Sequence, residues 1–498
     1  MPALSLPDRP DLDHLRQQAR ALQRAARNGD ADALRRVAAA GFAGPPDPAF
    51  PLSRAQLVLA REYGFASWPR LKRYVEVVTE YRWDATDPED TGDEPVADRF
   101  CRLACLTYAE DGPERWQRAR RLLADHPDLT AGSVWAAAAA TDVPALRRHL
   151  SADPPLARRR GGPHGWQPLF YLAYSRLDPA VPRDAVLAAA RLLLDAGADP
   201  DEGYLWRGLP TPFTLLTGCF GEGEQGRTRQ PRHPHSLALA RLLLVAGADP
   251  NDGQALYNRM FGRDDDHLEL LYEFGLGTGA GGVWRSRLGD ALEPPGEMLR
   301  GQLGWAIDHG YLDRVRLLAR HGVDVRAPFP DGATPAERAQ RNGHPDVVDA
   351  LLAAGAAPPA PTPVDALVGA ALRADRAAVD RLRAADPAVL AEARRQRPGL
   401  IVWAAGNGRT DAVALLAELG FDVNARGRGD TPVEQPWETA LHHAAAHGHL
   451  ELARTLLDLG ADPNATETRF GANPIGWARY FGQTAMVRLL TAAARTPD

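Results

Sequence analysis

Paired leucines followed a few residues later by a glycine recur along this chain. The phrase reads LLLDAGADPDEG at 192–203, LLLVAGADPNDG at 242–253, LLARHGVDVRA at 317–327, LLAELGFDVNA at 415–425 and LLDLGADPNA at 456–465. Looser copies are LLYEFGLG (270–277) and LLAAGAAP (351–358). The leucines predict helices that bury an apolar stripe. Gly197, Gly247, Gly322, Gly420 and Gly460 fall where a left-handed residue closes a helix. The Asp-Pro or Asp-Val that follows predicts a turn, because neither pair continues a helix comfortably. The closing glycines are 33 residues apart from Gly322 to Gly355, 40 from Gly420 to Gly460 and 50 from Gly197 to Gly247. A base period near 33 with insertions predicts a repeat array.

The front of each unit carries its own pattern. It is clearest in TALHHAAAHGHLELARTLLDLGADPNA (439–465), with similar openings in QPLFYLA (167–173), TPFTLL (211–216) and TPAERAQRNGHPDVVDALLAAG (334–355). Others are QLGWAIDHGYLDRVRLLARHG (302–322), LIVWAAGNGRTDAVALLAELG (400–420) and NPIGWARYFGQTAMVRLL (473–490). On these residues the chain resembles the ankyrin-repeat family, whose units open Thr-Pro-Leu-His; Ala440 departs from that tetrad in the proline slot. The resemblance implies an all-α ankyrin-repeat solenoid, each unit a helix, turn, antiparallel helix and β-hairpin finger, with about nine to eleven units over 101–498. It also implies that His442 is structural, tying backbone groups of adjacent fingers. The stretches 103–160 and 365–395 depart furthest from the pattern.

Ahead of the array, residues 13–38 place leucine and alanine among charges at helical spacing, and FPLSRAQLVLAREYGFASWPRLKRYVEVV (50–78) predicts two helices broken at Gly64–Pro69. Residues 1–80 resemble the helical leader found before ankyrin arrays in bacteria, and an array needs polar-faced ends, so a capping role is expected. Residues 81–100 read as a linker: RWDATDPEDTGDEPVADRF (82–100) holds seven acidic residues with proline and glycine.

Composition narrows the function. The chain has 498 residues, is 45% hydrophobic and carries a formal charge of −6, which points to no nucleic-acid partner. Lys72 is the single lysine, so the basic residues are otherwise arginine, a bias consistent with a GC-rich source. Cys101, Cys105 and Cys219 are too few for a disulfide framework and fit a reducing compartment. No apolar run approaches the roughly 18 residues a membrane helix needs, and the start lacks a signal-peptide core. A cytoplasmic protein is expected, with a protein partner and no cofactor.

Candidate chemistry is sparse. Gly221-Glu-Gly223-Glu-Gln-Gly226 spells GxGxxG, but a helix precedes it and RTRQPRHPH follows, whereas a dinucleotide site needs a strand before and a helix after. His442, His443, His447 and His449 cluster, and His443 and His447 stand at metal-ligand spacing on one helical face. Two ligands fall short of the usual three or four. Trp305, Trp403 and Trp477 share one register directly after the histidine slot and predict packing between repeats. Cys101 and Cys105, one turn apart, read as small buried hydrophobes. Arg428-Gly429-Asp430 would serve adhesion only outside a cell. HExxH, GxSxG and GxxxxGK are absent, so no catalytic residue is assigned.

Three insertions interrupt the period. Two lengthen the helix–helix turn of neighbouring units, at 174–185 and 219–236, and should form one ridge made basic by Arg227, Arg229, Arg232, His233 and His235. These residues are the candidate partner contacts, on loops whose length is tolerated cheaply. The third, 426–438, enlarges a finger; an irregular stretch, 278–299, contains Trp284. The chain is therefore expected to be a non-enzymatic interaction module gripping a protein through its concave groove, finger tips and inserted loops. The alternative is an array adapted to a small molecule or to catalysis through an insertion or the His442–His449 cluster.

Overall fold

A computed structural model describes residues 4–42, 50–85 and 94–494. It is mostly helical, and among the described residues no helix is long and apolar enough to cross a membrane. The chain forms two compact units, Met1–Met298 and Leu299–Asp498.

In the first unit, helices pair and the pairs stack in two layers. The first helices Val96–Ala104, Val134–Ala139, Pro168–Tyr174, Leu215–Phe220 and Gly253–Met260 pack each on the next. Behind them Val143–Ala152, Arg183–Asp195, Ser236–Val245 and Asp266–Glu273 do the same. The second-layer helices bury only a stripe, whereas Pro168–Tyr174 and Leu215–Phe220 are buried on every side, so neighbouring pairs supply the rest of the core.

The leader comprises Leu12–Arg27, Ala31–Ala39, Leu52–Glu62 and Trp68–Tyr81. Asp11, Asp30 and Ser67 cap three of these, and Pro69 lies within the first turn of the last, where its missing N–H costs nothing. Lys72 stands on that helix beside Glu76, at 3.4 Å. The leader meets the helix pairs of this unit chiefly through its C-terminal helix. Its last helix packs on β2 (Gly203–Trp206), which pairs antiparallel with β3 (Pro212–Thr214), and on the helix Gly282–Leu288. Val77 and Val78 there share a core with Leu205, Trp284 and Leu288. Trp284, in the stretch read as irregular, meets Tyr81 at 5.0 Å between ring centroids.

The 82–100 stretch is likewise more than a linker. It opens with β1 (Arg82–Trp83), which pairs in parallel with β2 to complete a three-stranded sheet ordered β1-β2-β3, and it ends inside the helix Val96–Ala104. Residues 86–93 lie outside the described residues.

The second unit repeats the two-layer stack. Pro335–Arg341 packs on Pro363–Leu372, and Leu400–Gly406 on Ala440–His447 on Pro474–Tyr480. The second layer runs Leu312–Arg320 on Pro345–Ala353, and Thr410–Glu418 on Leu450–Asp458 on Thr484–Ala493. Among the described residues Trp403 is the largest fully buried side chain, inside a core that includes Leu367, Leu441 and Leu456. The closing glycines Gly197, Gly247, Gly322, Gly420 and Gly460 all have φ between +80° and +106°. At Gly460 no atom lies within 4 Å of where a Cβ would stand, so only the backbone conformation excludes other residues.

Candidate functional site

The two turn insertions of the first unit lie side by side. Arg176 Nε donates to the Pro231 carbonyl at 2.7 Å, and His235 Nε2 lies 2.6 Å from the Val181 carbonyl. The ridge is not a free basic surface, however. Arg232 pairs with Glu222 (3.1 Å), Asp266 (2.7 Å) and Asp264. Arg227 pairs with Glu222 and Asp264, and the fully buried Arg259 meets Glu222 at 2.5 Å and also Asp264. Three carboxylates thus face three guanidiniums. Burial raises the Asp264 carboxyl, but the arginines outweigh it and bring it down to about 2. His233 is buried, and burial holds its ring well below the ordinary histidine pKa. Arg229 lies in the four-residue helix Gly226–Arg229 and is half-buried. Arg227 and Arg232 of the ridge are therefore engaged in an ion-pair lattice, because Glu222 and the next turn, at 264–266, supply the acids.

The GxGxxG loop follows the helix Leu215–Phe220 and leads into that short helix. Its Glu222 has φ +61°, and its amide donates to the Gln230 carbonyl at 2.6 Å. The three cysteines are buried and free, and burial raises the Cys105 thiol to about 12.

In the second unit the histidine cluster and the enlarged finger come together. His442 Nε2 faces the Ala472 carbonyl of the next finger at 3.1 Å, while its Nδ1 accepts from Thr439 Oγ1 at 2.9 Å. His443 Nε2 lies 2.6 Å from Glu438 Oε1, both side chains buried. The same oxygen accepts the Gly429 amide at 3.1 Å. A Cβ at Gly429 would collide with the His443 ring, so the finger lies directly on the first helix. Glu434 holds the finger's far end through Arg397 (2.7 Å) and the Gly399 amide (2.9 Å). His447 stacks on His443 at 5.9 Å and its Nδ1 meets the His443 carbonyl, so the two rings do not converge as ligands. Among the described residues, the set of three potential ligands within 4.8 Å of one another is Asp264, Asp266 and His267, whose carboxylates face the arginines. Arg428 and Asp430 pair with each other.

Beside this cluster an aromatic shelf reaches solvent. Trp437 lies 6.1 Å from Trp477 and 6.5 Å from Phe470; Trp477 continues to Phe481, and Phe481 to Tyr480 at 5.1 Å. Phe470 is 69% and Tyr480 51% exposed. Trp437 Nε1 donates to Glu467 (3.0 Å), whose carboxylate also accepts the amides of Phe470 and Ala472, which fixes the loop. Arg469 spans the rings of Trp437 and Phe470 at 5.2 and 5.1 Å. Of the three tryptophans read as packing, Trp403 is buried, whereas Trp305 (stacked on His309 at 4.0 Å) and Trp477 are half-buried. The aromatic density of 470–481 was the available signal for the shelf.

A family model described as ankyrin repeats (many copies) also matches this stretch, over residues 437–491. A protein of Oryza sativa subsp. japonica named "Probable E3 ubiquitin-protein ligase XBOS33" is 36% identical over 18% of this chain and 16% of its own length. A second from the same organism, "Probable E3 ubiquitin-protein ligase XBOS32", is 32% identical over 18% of this chain and 17% of itself. "Ankyrin repeat domain-containing protein 63" of Mus musculus is 33% identical over 18% and 20% respectively. The chain thus spans a fifth or less of the curated relatives it matches.

Proposed function

We propose that this chain is a non-enzymatic protein-interaction module: an ankyrin-repeat solenoid beginning near residue 100 that docks a protein partner on the surface of 437–491. The observation that carries this reading is the shelf of Trp437, Phe470, Trp477, Tyr480 and Phe481 with Arg469. Aromatic side chains and arginine dominate the energetics of protein interfaces, since they bury large area at low entropic cost. The relatives support the repeat rather than a ligase activity, because the stretch shared with the two ligase-named proteins is a fifth or less of each and the mouse protein is named for its repeats alone. Buried, free thiols at Cys101, Cys105 and Cys219 fit a reducing cytoplasm.

The test is a Phe470→Ser/Tyr480→Ser double variant. A protein that co-purifies with the chain from its native host should be lost from the variant while far-UV circular dichroism stays unchanged. Retention of the same proteins at the same yield sinks the reading.

A second reading, a small-molecule or catalytic site at the His442–His449 cluster, has one observation in its favour. The buried His443–Glu438 pair leaves His443 Nδ1 and Glu438 Oε2 without hydrogen-bond partners among the described residues. Ligand-induced thermal shifts abolished by His443→Gln, with the shelf variant unaffected, would favour it.

A further inference from the structure

β1 sits on the edge of β2 as an added strand. It is two residues long, aligns Arg82 with Leu205 and Trp83 with Trp206, and comes from the stretch directly after the leader rather than from a neighbouring repeat. The Arg207 amide donates to the Trp83 carbonyl at 2.7 Å. Such main-chain pairing accepts any extended segment, so specificity must come from the side chain that enters the adjoining pocket.

Here that side chain is Trp83. Its ring centroid lies 4.9 Å from Tyr204, 5.2 Å from Trp166 and 5.5 Å from His164, and the residue is only 8% exposed. The fit to the ring is close, yet the polar edge is not used. Both nitrogens of His164 and the Nε1 of Trp166 are buried without a hydrogen-bond partner among the described residues. Burial holds the His164 ring well below the ordinary histidine pKa, so it stays neutral, one nitrogen a donor and the other an acceptor. A box with three unpaired polar atoms suits an occupant with an indole and further polar groups better than it suits Trp83.

We propose that the β2 edge and the box of His164, Trp166 and Tyr204 form a docking site for an extended partner peptide that presents a tryptophan, and that Arg82–Trp83 occupies this site in cis. The site lies in the first unit and stands independently of the shelf. The flanking residues suit exchange: Asp84 is held by Arg82 (2.8 Å) and by Arg9 (3.1 Å), which is largely exposed. A competing strand has to displace a two-residue rung, the ion pairs around Asp84 and the buried Trp83 ring.

The experiment uses the full chain and a fluorescent peptide of sequence Glu-Tyr-Arg-Trp-Asp-Ala, that of residues 80–85, read by anisotropy. Trp83→Ala should bind it at least tenfold more tightly than the unaltered chain, and a peptide with alanine in place of tryptophan should not bind. Trp83→Phe keeps a ring in the slot and guards against misfolding; its affinity should fall between the two. A folded Trp83→Ala or Trp83→Phe that binds no better than the unaltered chain overturns the proposal. Equal binding of the tryptophan and alanine peptides does so too.

Discussion

The guanidinium of Arg176 is buried without a carboxylate partner among the described residues, and its Nε meets the Pro231 carbonyl at 2.7 Å. Its other nitrogens donate to Ala173 (3.1 Å), Ser175 (2.9 Å) and Gly218 (2.6 Å) carbonyls, so one side chain ties the two insertions together. Arg176→Met should strand four carbonyl oxygens and cost about 3 kcal/mol, read as a lowered melting temperature. An unchanged melting temperature would show that the clamp is dispensable.

The inserted loop itself should not be removable without harm, although loop length alone is tolerated cheaply. Replacing 221–234 by a three-residue turn removes Glu222 from the buried Arg259 and Pro231 from Arg176. Arg259 keeps Asp264 but loses Glu222, and the loss of such a buried charged hydrogen bond is expected to cost about 1.5–3 kcal/mol. Arg259→Leu within the shortened loop should recover part of that loss in urea denaturation.

Gly460 has φ +90° with open space around it. Gly460→Val should therefore destabilise by about 1–2 kcal/mol through backbone strain alone. Gly460→Asn, which tolerates the left-handed region, should cost less; equal losses would point instead to a steric clash.

His442→Ala should cost about 1 kcal/mol, because the ring links Thr439 to the next finger at Ala472. Hydrogen exchange should quicken first at 467–473. If stability holds while bound zinc, measured by elemental analysis, disappears, the ring is a ligand instead.

Acid should weaken the second unit. Burial, then the Arg409 guanidinium at 2.9 Å, lowers His344 to about 4, and burial also lowers His309, His442 and His447. Unfolded histidines take protons near pH ~6.5, so below that the unfolded chain binds more protons than the folded one. Stability should be flat above about pH 6.5 and fall between there and about pH 4. Exchange protection of 299–498 peptides at pH 7.5 and 5.5 checks this, and Arg409→Leu should shallow the loss.

The helix ends were legible because local chemistry decides them: a leucine stripe followed by Gly460 needs no distant information. The same holds for the capping box of Thr334 and Glu337. The charge of the ridge was not legible, since Asp264 and Asp266 neutralise Arg232 from about thirty residues away. Trp83 was hidden in a stretch whose acidic composition suggested solvent; only the β2 edge, some 120 residues on, explains its burial. The shelf lay in plain view at 470–481, but aromatic residues in repeats usually pack, and exposure at Tyr480 is a tertiary fact.

Lys72 lies on the leader helix that packs against β2, 44% exposed and beside Glu76. As the only lysine in the sequence, it confines every lysine-directed modification to that one helix. Acylation, cross-linking or covalent conjugation at a side-chain amine therefore reads out the docked leader and nothing else. A single mass-tagged position can in this way follow the attachment of Trp68–Tyr81 without any engineered probe.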